Sequence, residues 1–344
     1  MNSCLLVSLI SDQTIPNIQL INEYGSIATH YLFITTQGME KKGVRDWIIT
    51  SCKLKQEQIL EPIFVDQFSF DDIEYKLDNF QFEKYEKIIV NLTGGTKVMT
   101  LAAFDFFKDL GAEIYYLTGS DNVLIKLAPG RKKKVETLKT QVNLEQFFQG
   151  YGFEIKETTT SSISVAYTNS FFKKFTSGMV HSFNPVLGSL REKRGSRITD
   201  LNSISGLNDF LTKIEFPLNV KGELSKYEIK YLTGEWFEEY ISNKLVEELK
   251  LSSDQIKTGI VISKKNKVGA IIPNELDVVF VWKNKIYLIE GKTSVFYDSL
   301  LPDGSTKSVS IIGETLYKSD SLKQGLGLLD RKSTRLNSSH GIIS

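Results

Sequence analysis

Short apolar runs alternate with stretches of helical spacing through the first half of the chain. The runs lie at residues 5–10, 31–34, 59–65, 87–92 and 113–117. They lack the alternation of half-exposed strands, which is typical of strands buried on both faces of a parallel sheet. Strands separated by helices of ten or more residues predict an α/β domain with helices on both sides of that sheet. We therefore predict such a domain over residues 1–145.

The pattern changes after residue 122. Residues 123–127 and 135–138 predict a hairpin that closes the first domain. Its turn contains four consecutive basic residues, Arg131 to Lys134, which we interpret as a solvated surface, with contact to RNA or phosphate as the alternative. Residues 157–164 are rich in Thr and Ser and indicate a linker. The following residues have mostly helical spacing, so we interpret 146–225 as a connecting segment and 226–329 as a second domain.

Polar residues follow the first two predicted strands, at the edge where an open parallel sheet binds its ligands. The first strand is followed by a polar loop up to Asn17, and the second ends at Thr35. The candidate ligand-binding residues here are Ser11, Asp12, Gln13, Thr14 and Thr35.

A glycine-rich run follows the fourth predicted strand and precedes a helical pattern. Its glycines permit a tight turn and a close approach to a ligand. The helix start offers unpaired N–H groups and the positive end of the helix dipole, which suits a phosphate. The alternative is a plain glycine-rich turn capped by a threonine, and the spacing excludes a Walker A loop. The candidate phosphate-binding residues are Asn91, Thr93, Gly94, Gly95, Thr96 and Lys97.

Two β-rich runs near the C-terminus predict a hairpin. Residues 273–282 and 285–292 flank a two-residue polar turn. In this register Asp277 lies opposite Glu290, on a face that is apolar nearer the turn. Two opposed carboxylates on a buried face repel each other, and a divalent cation with oxygen ligands would relieve that repulsion.

The same register places Glu275 opposite Lys292, beside the two carboxylates. There Lys292 can orient a water molecule or stabilise a developing charge. The alternative is a surface ladder in which Lys292 pairs with Glu275 and Asp277 is exposed. A third acid favours the metal site, because Glu238 lies on the apolar stripe of a helix predicted over residues 229–249, and an inward-facing acid needs a partner.

Composition excludes several classes of protein. The 344 residues include 42 Lys and Arg against 41 Asp and Glu, and a net charge of +1 excludes a uniformly basic nucleic-acid coat. Two cysteines, Cys4 and Cys52, exclude a disulfide scaffold or a Cys-based zinc site and indicate a reducing, cytoplasmic compartment. No basic leader precedes an apolar core and no apolar run approaches about 18 residues, so we expect no membrane contact.

The second domain resembles the PD-(D/E)XK restriction-endonuclease-like family. Gly234, Glu238, Asp277 and the Glu290-Gly-Lys292 triplet carry this resemblance, which covers roughly residues 226–329. It implies a restriction-endonuclease-like α/β fold in which Glu238, Asp277 and Glu290 hold Mn²⁺ or Mg²⁺ and Lys292 assists the attacking water. The implied reaction is metal-dependent hydrolysis of a phosphodiester.

The first domain resembles the CARF domain, the CRISPR-associated Rossmann fold, through its glycine-rich run and the Ser11–Thr14 loop. Such domains dimerise and bind cyclic oligoadenylate. Together, the two resemblances imply a Rossmann-like CARF domain joined to a nuclease, acting as a homodimer in type III CRISPR antiviral defence. They imply cleavage of single-stranded DNA or RNA, or nicking of duplex DNA, when cyclic tetra-adenylate binds. No general base is evident near Gly94, so we expect slow cleavage of the ligand or none.

Two other functions remain open from the sequence. One is a ligand-binding CARF regulator with an inactive nuclease-like domain, and the other is an endonuclease that needs no second messenger. His30 and His181 lie outside both clusters and are predicted to be structural. Residues 330–344 fit no element of either family and resemble the translation of a sequencing-adapter read. We therefore expect a non-native tail and a truncated nuclease domain.

Overall fold

The computed structural model describes residues 3–118, 122–127, 134–156, 163–265, 271–292, 296–300, 306–310 and 334–337. Most of the predicted basic turn, most of the predicted Thr- and Ser-rich linker and most of the predicted non-native tail lie outside these residues. The division into domains stays a prediction.

Within the described residues, seven strands form the first sheet. They are β1 (Cys4–Leu9), β2 (His30–Thr35), β3 (Ile63–Phe64), β4 (Lys87–Asn91), β5 (Glu113–Thr118), β6 (Val123–Leu127) and β7 (Lys134–Thr137). Their order is β3-β2-β1-β4-β5-β6-β7, with β1 to β5 parallel and the last two antiparallel. The predicted parallel sheet and its closing hairpin are confirmed, although the third strand is shorter than predicted.

Helices cover both faces of this sheet, as the unbroken apolar runs predicted. They are α1 (Ile15–Tyr24), α2 (Gln37–Lys42), α3 (Val44–Cys52), α4 (Phe70–Asp78), α5 (Lys97–Asp109) and α6 (Leu144–Gln149). Along β1, Leu6 packs in a cluster with residues of α1, α3 and α6. Its neighbours Leu5 and Val7 pack with residues of α4 and α5 on the other face.

The connecting segment is mostly helical, as predicted, with α7 (Val165–Thr176), α8 (Asn184–Glu192) and α9 (Leu207–Lys213). Its first part differs from the prediction, because the short strand β8 (Glu154–Lys156) pairs with the second sheet. The helix predicted over residues 229–249 is also interrupted. It comprises α10 (Lys226–Lys230), a π-helical turn (Tyr231–Glu235) and α11 (Trp236–Leu249), because Gly234 leaves helical backbone geometry.

The second sheet has the order β14-β11-β10-β9-β8 within the described residues. Its strands are β9 (Ile256–Lys265), β10 (Ile271–Trp282), β11 (Lys285–Lys292) and β14 (Thr334–Asn337), with β12 (Phe296–Leu300) and β13 (Thr306–Ser310) paired separately. The predicted hairpin is confirmed, since β10 and β11 pair from Trp282 and Lys285 outward. Helix α11 contacts β9, β10 and β11.

The turn of this hairpin docks on the first domain. Lys283 and Asn284 both have left-handed φ angles, 51° and 59°, as a tight two-residue hairpin turn requires. Asn284 is buried, and its Oδ1 accepts a hydrogen bond from the Val142 backbone at 2.6 Å. Apolar residues of the hairpin, Val279, Val281 and Ile286 among them, pack in the cluster that contains α1 and α6.

Candidate functional site

The first candidate site lies at the carboxyl ends of β1 and β4. The loop after β1 is shorter than predicted, since α1 begins at Ile15 and places Asn17 inside the helix, helped by a proline in the first turn. The loops after the two strands touch: a Cβ on Gly94 would lie 2.1 Å from the Leu9 carbonyl oxygen and 3.5 Å from Ser11 Oγ. Only glycine permits this approach without displacement of the backbone.

Three predicted ligand-binding side chains form hydrogen bonds within the protein. The buried Asn91 amide donates to Asn17 Oδ1 at 2.7 Å and to the Pro16 carbonyl at 3.0 Å. The Thr93 hydroxyl accepts from the Leu117 backbone at 2.8 Å. Thr35 is buried, and its hydroxyl donates to Glu40 at 3.1 Å. These bonds shape the crevice and fix the loop after β4.

The start of α5 presents the groups best placed for an anion. Gly95 has φ +78°, so the chain turns sharply there. Thr96 caps the helix by accepting from the Met99 backbone at 3.2 Å, and its hydroxyl donates to the Gln67 carbonyl at 2.8 Å. Lys97 is exposed in the first turn, and the positive end of the helix dipole adds to its charge.

The loop after β1 makes contacts that the sequence did not suggest. Asp12 forms an exposed ion pair with Lys42 at 2.8 Å, and Gln13 Oε1 accepts from the Tyr151 hydroxyl at 3.4 Å. Ser11 Oγ accepts from the Gln13 backbone at 3.3 Å, while Thr14 is buried at the N-terminus of α1. Lys42 and Tyr151 follow their partners by 30 and 138 residues, so no local sequence pattern reveals them.

The second candidate site lies on the hairpin, at the end far from its turn. The pair Val278–Ile289 sets the register that places Asp277 opposite Glu290. Asp277 is only 8% exposed. The Lys292 ammonium bridges the two acids, 2.8 Å from Asp277 Oδ2 and 2.7 Å from Glu290 Oε1. The alternative of a surface ladder with an exposed Asp277 is therefore excluded.

Glu238 reaches the same site from α11. A Cβ on Gly291 would lie 3.5 Å from the Glu238 Cγ, so the glycine between Glu290 and Lys292 gives the helix room. The Gly291 backbone N–H donates to Asp277 Oδ2 at 2.9 Å. Residues 276 and 278 of β10 would share one face of a regular strand. In the structure they do not, because Leu276 packs in the cluster shared with the first domain and Val278 packs in the cluster of α11. This change of face places Asp277 of the hairpin on the side of Glu238 of α11.

Burial and mutual repulsion perturb the acids. Burial, followed by the charge of Asp277, raises the pKa of Glu238 to about 9. Burial and then the Glu290 charge raise the pKa of Asp277, although Lys292 opposes this. For Lys292, burial favours the neutral amine, but its bonds to Asp277 and Glu290 prevail and raise its pKa.

The donor set suits a hard divalent cation. Three carboxylates offer oxygen ligands of the kind that Mg²⁺ and Mn²⁺ bind. Burial and, after it, a neighbouring carboxylate raise the pKa values of Glu238 and Asp277, and a cation bound between these acids would favour their charged forms. In the part of the chain that the structure describes, no three acidic, His or Cys side chains are gathered closely enough to hold a metal ion, and Lys292 supplies the bridging charge.

Two family models match the chain, one in each half. Residues 5–147 match the Card1 CARF domain, and residues 225–343 match the Card1-like endonuclease domain. The chain joins a Card1 CARF domain to a Card1-like endonuclease domain. Each half of this Card1-like protein therefore carries one of the two candidate sites.

Solved structures share the fold of this Card1-like protein. Can2 from Sulfobacillus thermosulfidooxidans, in complex with cyclic tetra-adenylate, is 22% identical with a TM-score of 0.68, covering 96% of this chain and 89% of Can2. Protein VC1899 from Vibrio cholerae is 16% identical with a TM-score of 0.73, covering 97% and 88%. A type III CRISPR defence DNA nuclease activated by cyclic oligoadenylate is 15% identical with a TM-score of 0.57, covering 98% and 45%.

No curated protein matches the Card1-like chain. Among its described residues, no helix is both long and apolar enough to cross a bilayer.

Proposed function

We propose that this Card1-like protein is a metal-dependent nuclease that cyclic tetra-adenylate activates in type III CRISPR antiviral defence. Its substrate is single-stranded DNA or RNA, with nicking of duplex DNA as a related activity. The observation that carries the proposal is the ion-paired cluster of the buried Asp277 with the partly buried Glu290 and Lys292, beside which Glu238 packs on Gly291. Three acids gathered beside one lysine in an endonuclease domain have a physical use in phosphodiester hydrolysis, as metal ligands.

Asp277, Glu290 and Glu238 are the residues that would hold Mn²⁺ or Mg²⁺. Bound there, the cation would lower the pKa of a water molecule and polarise the phosphodiester. Lys292 remains protonated because its pKa is raised. Released from the two acids, the Lys292 ammonium would orient the attacking water and stabilise the charge on the phosphate oxygens. The Gly291 N–H keeps Asp277 in position.

Cyclic tetra-adenylate fits the first crevice by charge and by backbone geometry. Can2, which shares the fold, was solved with this ligand. Gly94, Gly95 and the start of α5 can approach its phosphates closely, and the exposed Lys97 adds positive charge. We assign ligand binding to the residues predicted above, and the hydrogen bonds of Asn91, Thr93 and Thr35 indicate that these three act by shaping the loops. By thermodynamic linkage, the ligand activates the nuclease only if it binds the active conformation of the protein more tightly than the inactive one.

A homodimer would place two crevices on one ring. Apolar side chains lie exposed beside the crevice: Phe68 is 76% exposed, Tyr75 68% and Leu101 62%. Helices α4 and α5, which carry Tyr75 and Leu101, pack on each other. Phe68 follows Gln67, whose carbonyl accepts from Thr96 of the glycine-rich loop. A second copy that covers this surface would remove the apolar groups from water and bring its own crevice towards the ligand.

A nuclease assay with and without cyclic tetra-adenylate tests the proposal. Purified protein is incubated with Mn²⁺ or Mg²⁺ and labelled single-stranded DNA, single-stranded RNA or supercoiled duplex. We expect cleavage only with ligand and metal together. Glu290→Gln and Lys292→Ala should abolish cleavage and leave ligand binding, measured by calorimetry, unchanged. Glu247→Gln is the matched control, because Glu247 lies exposed on α11 in a surface pair with Lys244.

The two alternatives predict other results. Ligand binding without cleavage in any metal would indicate a CARF regulator with an inactive nuclease-like domain. Cleavage that is equal with and without cyclic tetra-adenylate would indicate an endonuclease that needs no second messenger. Retained cleavage in Glu290→Gln and Lys292→Ala would show that the active site lies elsewhere.

A further inference from the structure

A basic segment spans the C-terminal end of α8 and the loop after it, in the connecting segment where the sequence suggested no chemistry. Residues 191–197, called the basic loop below, contain Arg191, Lys193, Arg194 and Arg197 against one acid, Glu192. All seven residues are exposed. The end of α8 packs on the π-helical turn that precedes α11. The basic loop therefore lies beside the helix that carries Glu238.

Arg194 is held firmly but keeps most of its hydrogen-bonding capacity. Its Nε donates to Thr233 Oγ1 at 2.7 Å. The Thr233 hydroxyl is buried and in turn donates to the Ile229 carbonyl at 2.7 Å, so its orientation is fixed. A Cβ on Gly234 would lie 3.0 Å from Arg194 Nη2, so the glycine gives the guanidinium its space. Among the described residues, no carboxylate forms an ion pair with Arg194.

Arg191 lies one helical turn before Arg194, and the Arg194 backbone N–H donates to the Arg191 carbonyl at 3.4 Å. Although Arg191 as a whole is exposed, partial desolvation of its guanidinium, and after it the positive charge of Arg194, lowers its pKa. Neither arginine has an acidic partner among the described residues, whereas Arg197 of the same loop pairs with Glu223 at 3.7 Å. Two neighbouring guanidinium groups without an anion repel each other. A phosphate relieves that repulsion, because its oxygens match the planar fork of arginine.

The two arginines lie near the N-terminal end of the helix that carries Glu238. Thr233 and Gly234 lie in the turn just before α11, and Glu238 follows Gly234 by four residues, about 6 Å along a helix. The charge of Glu235, the residue after Gly234, acts on Glu238. A strand whose phosphate lies on the two arginines is thus held next to the cluster of Glu238, Asp277 and Glu290.

We propose that Arg191 and Arg194 bind a backbone phosphate of the single-stranded substrate beside the bond to be cleaved. This assignment rests on the proposed nuclease function, which it deepens by naming the substrate-binding surface. Contacts with phosphate position a strand without reading its sequence, so DNA and RNA share this site.

Binding and cleavage are measured separately to test it. For binding, Arg191→Gln and Arg194→Gln are introduced together into the Glu290→Gln protein, which should not cleave the strand. Fluorescence anisotropy then measures the binding of labelled single-stranded DNA and RNA in the presence of cyclic tetra-adenylate. We expect the double variant to raise Kd at least about tenfold for both strands, and its salt dependence to fall by about 0.7 per lost phosphate contact. Arg197→Gln, the matched control on the same loop, should change Kd less than twofold.

Further measurements separate substrate binding from loss of structure and from general electrostatics. Ligand binding and thermal melting of the double variant should match the parent. In the cleavage-competent protein, Arg194→Lys should raise KM and leave kcat unchanged, because lysine keeps the charge but lacks the fork. If the double variant melts at a lower temperature than its parent, the Kd of the single variant Arg191→Gln is measured instead, and the same rise in Kd is expected.

An unchanged Kd in the double variant, or an equal loss in Arg197→Gln, would overturn the proposal. If the double variant loses strand binding but the protein with none of these substitutions cleaves nothing, the nuclease function is refuted and the phosphate site remains.

Discussion

Gly94→Ala is the sharpest perturbation of the first site. The added Cβ would lie 2.1 Å from the Leu9 carbonyl oxygen, whereas real Cβ atoms essentially never come within 3.0 Å of a neighbour. The Gly94 loop and the end of β1 must therefore separate by at least about 0.9 Å, and because the clash is with a backbone oxygen, rotation of a flexible side chain cannot relieve it. Overpacking of this kind costs about 1–3 kcal/mol. If the loop moves to avoid that cost, the contacts with the ligand weaken by a similar amount.

We expect Gly94→Ala to raise the Kd for cyclic tetra-adenylate between about fivefold and 150-fold, since 1.4 kcal/mol corresponds to a factor of ten. Isothermal calorimetry measures this directly, and the melting temperature reports the stability of the domain. Gly188→Ala is the matched control, because no atom lies within 4 Å of its added Cβ and its position in α8 favours alanine. A Gly94→Ala variant that binds the ligand as tightly as Gly188→Ala does would refute the steric reasoning.

Three further outcomes follow from other parts of the structure. Between pH 4.5 and about 9 the Glu238 carboxyl is ionised in the unfolded chain but keeps its proton in the folded protein. The free energy of unfolding of the metal-free protein should therefore fall as pH rises through this range. Urea unfolding measures this dependence on pH, which should be weaker in Glu238→Gln. Asn284→Ala leaves the Val142 N–H without its acceptor and should cost about 1–3 kcal/mol in urea unfolding, whereas Asn284→Asp should cost less. Leu101→Glu should convert a dimer to a monomer in light scattering; an unchanged dimer would exclude that surface.

Local sequence patterns predicted the elements that are buried on both faces and the hairpin register. The unbroken apolar runs around Val7 and Val90 are sufficient to indicate central parallel strands, because no other position in a sheet tolerates them. The pairing of Asp277 with Glu290 follows from a two-residue turn and the period of a strand. Each of these inferences needs only a few neighbouring residues.

Features that depend on distant residues could not be predicted in this way. The π-helical turn at Gly234 keeps the spacing of apolar residues close to that of a helix, so the sequence predicted one continuous helix. The bonds of Lys292 to both acids depend on the twist of the hairpin and on the approach of α11. The ion pair of Asp12 with Lys42 depends on the packing of the loop after β1 against α2.

The docked turn of the β10–β11 hairpin has a consequence for protein engineering. The two family segments look like interchangeable modules in the sequence, but Val279, Val281 and Ile286 of the second share one apolar core with α1 and α6 of the first. A chimaera cut between them would expose that core and leave Asn284 without its partners. A transplanted sensor would therefore have to bring its own matching hairpin, and sensor and nuclease should be inherited as a single piece.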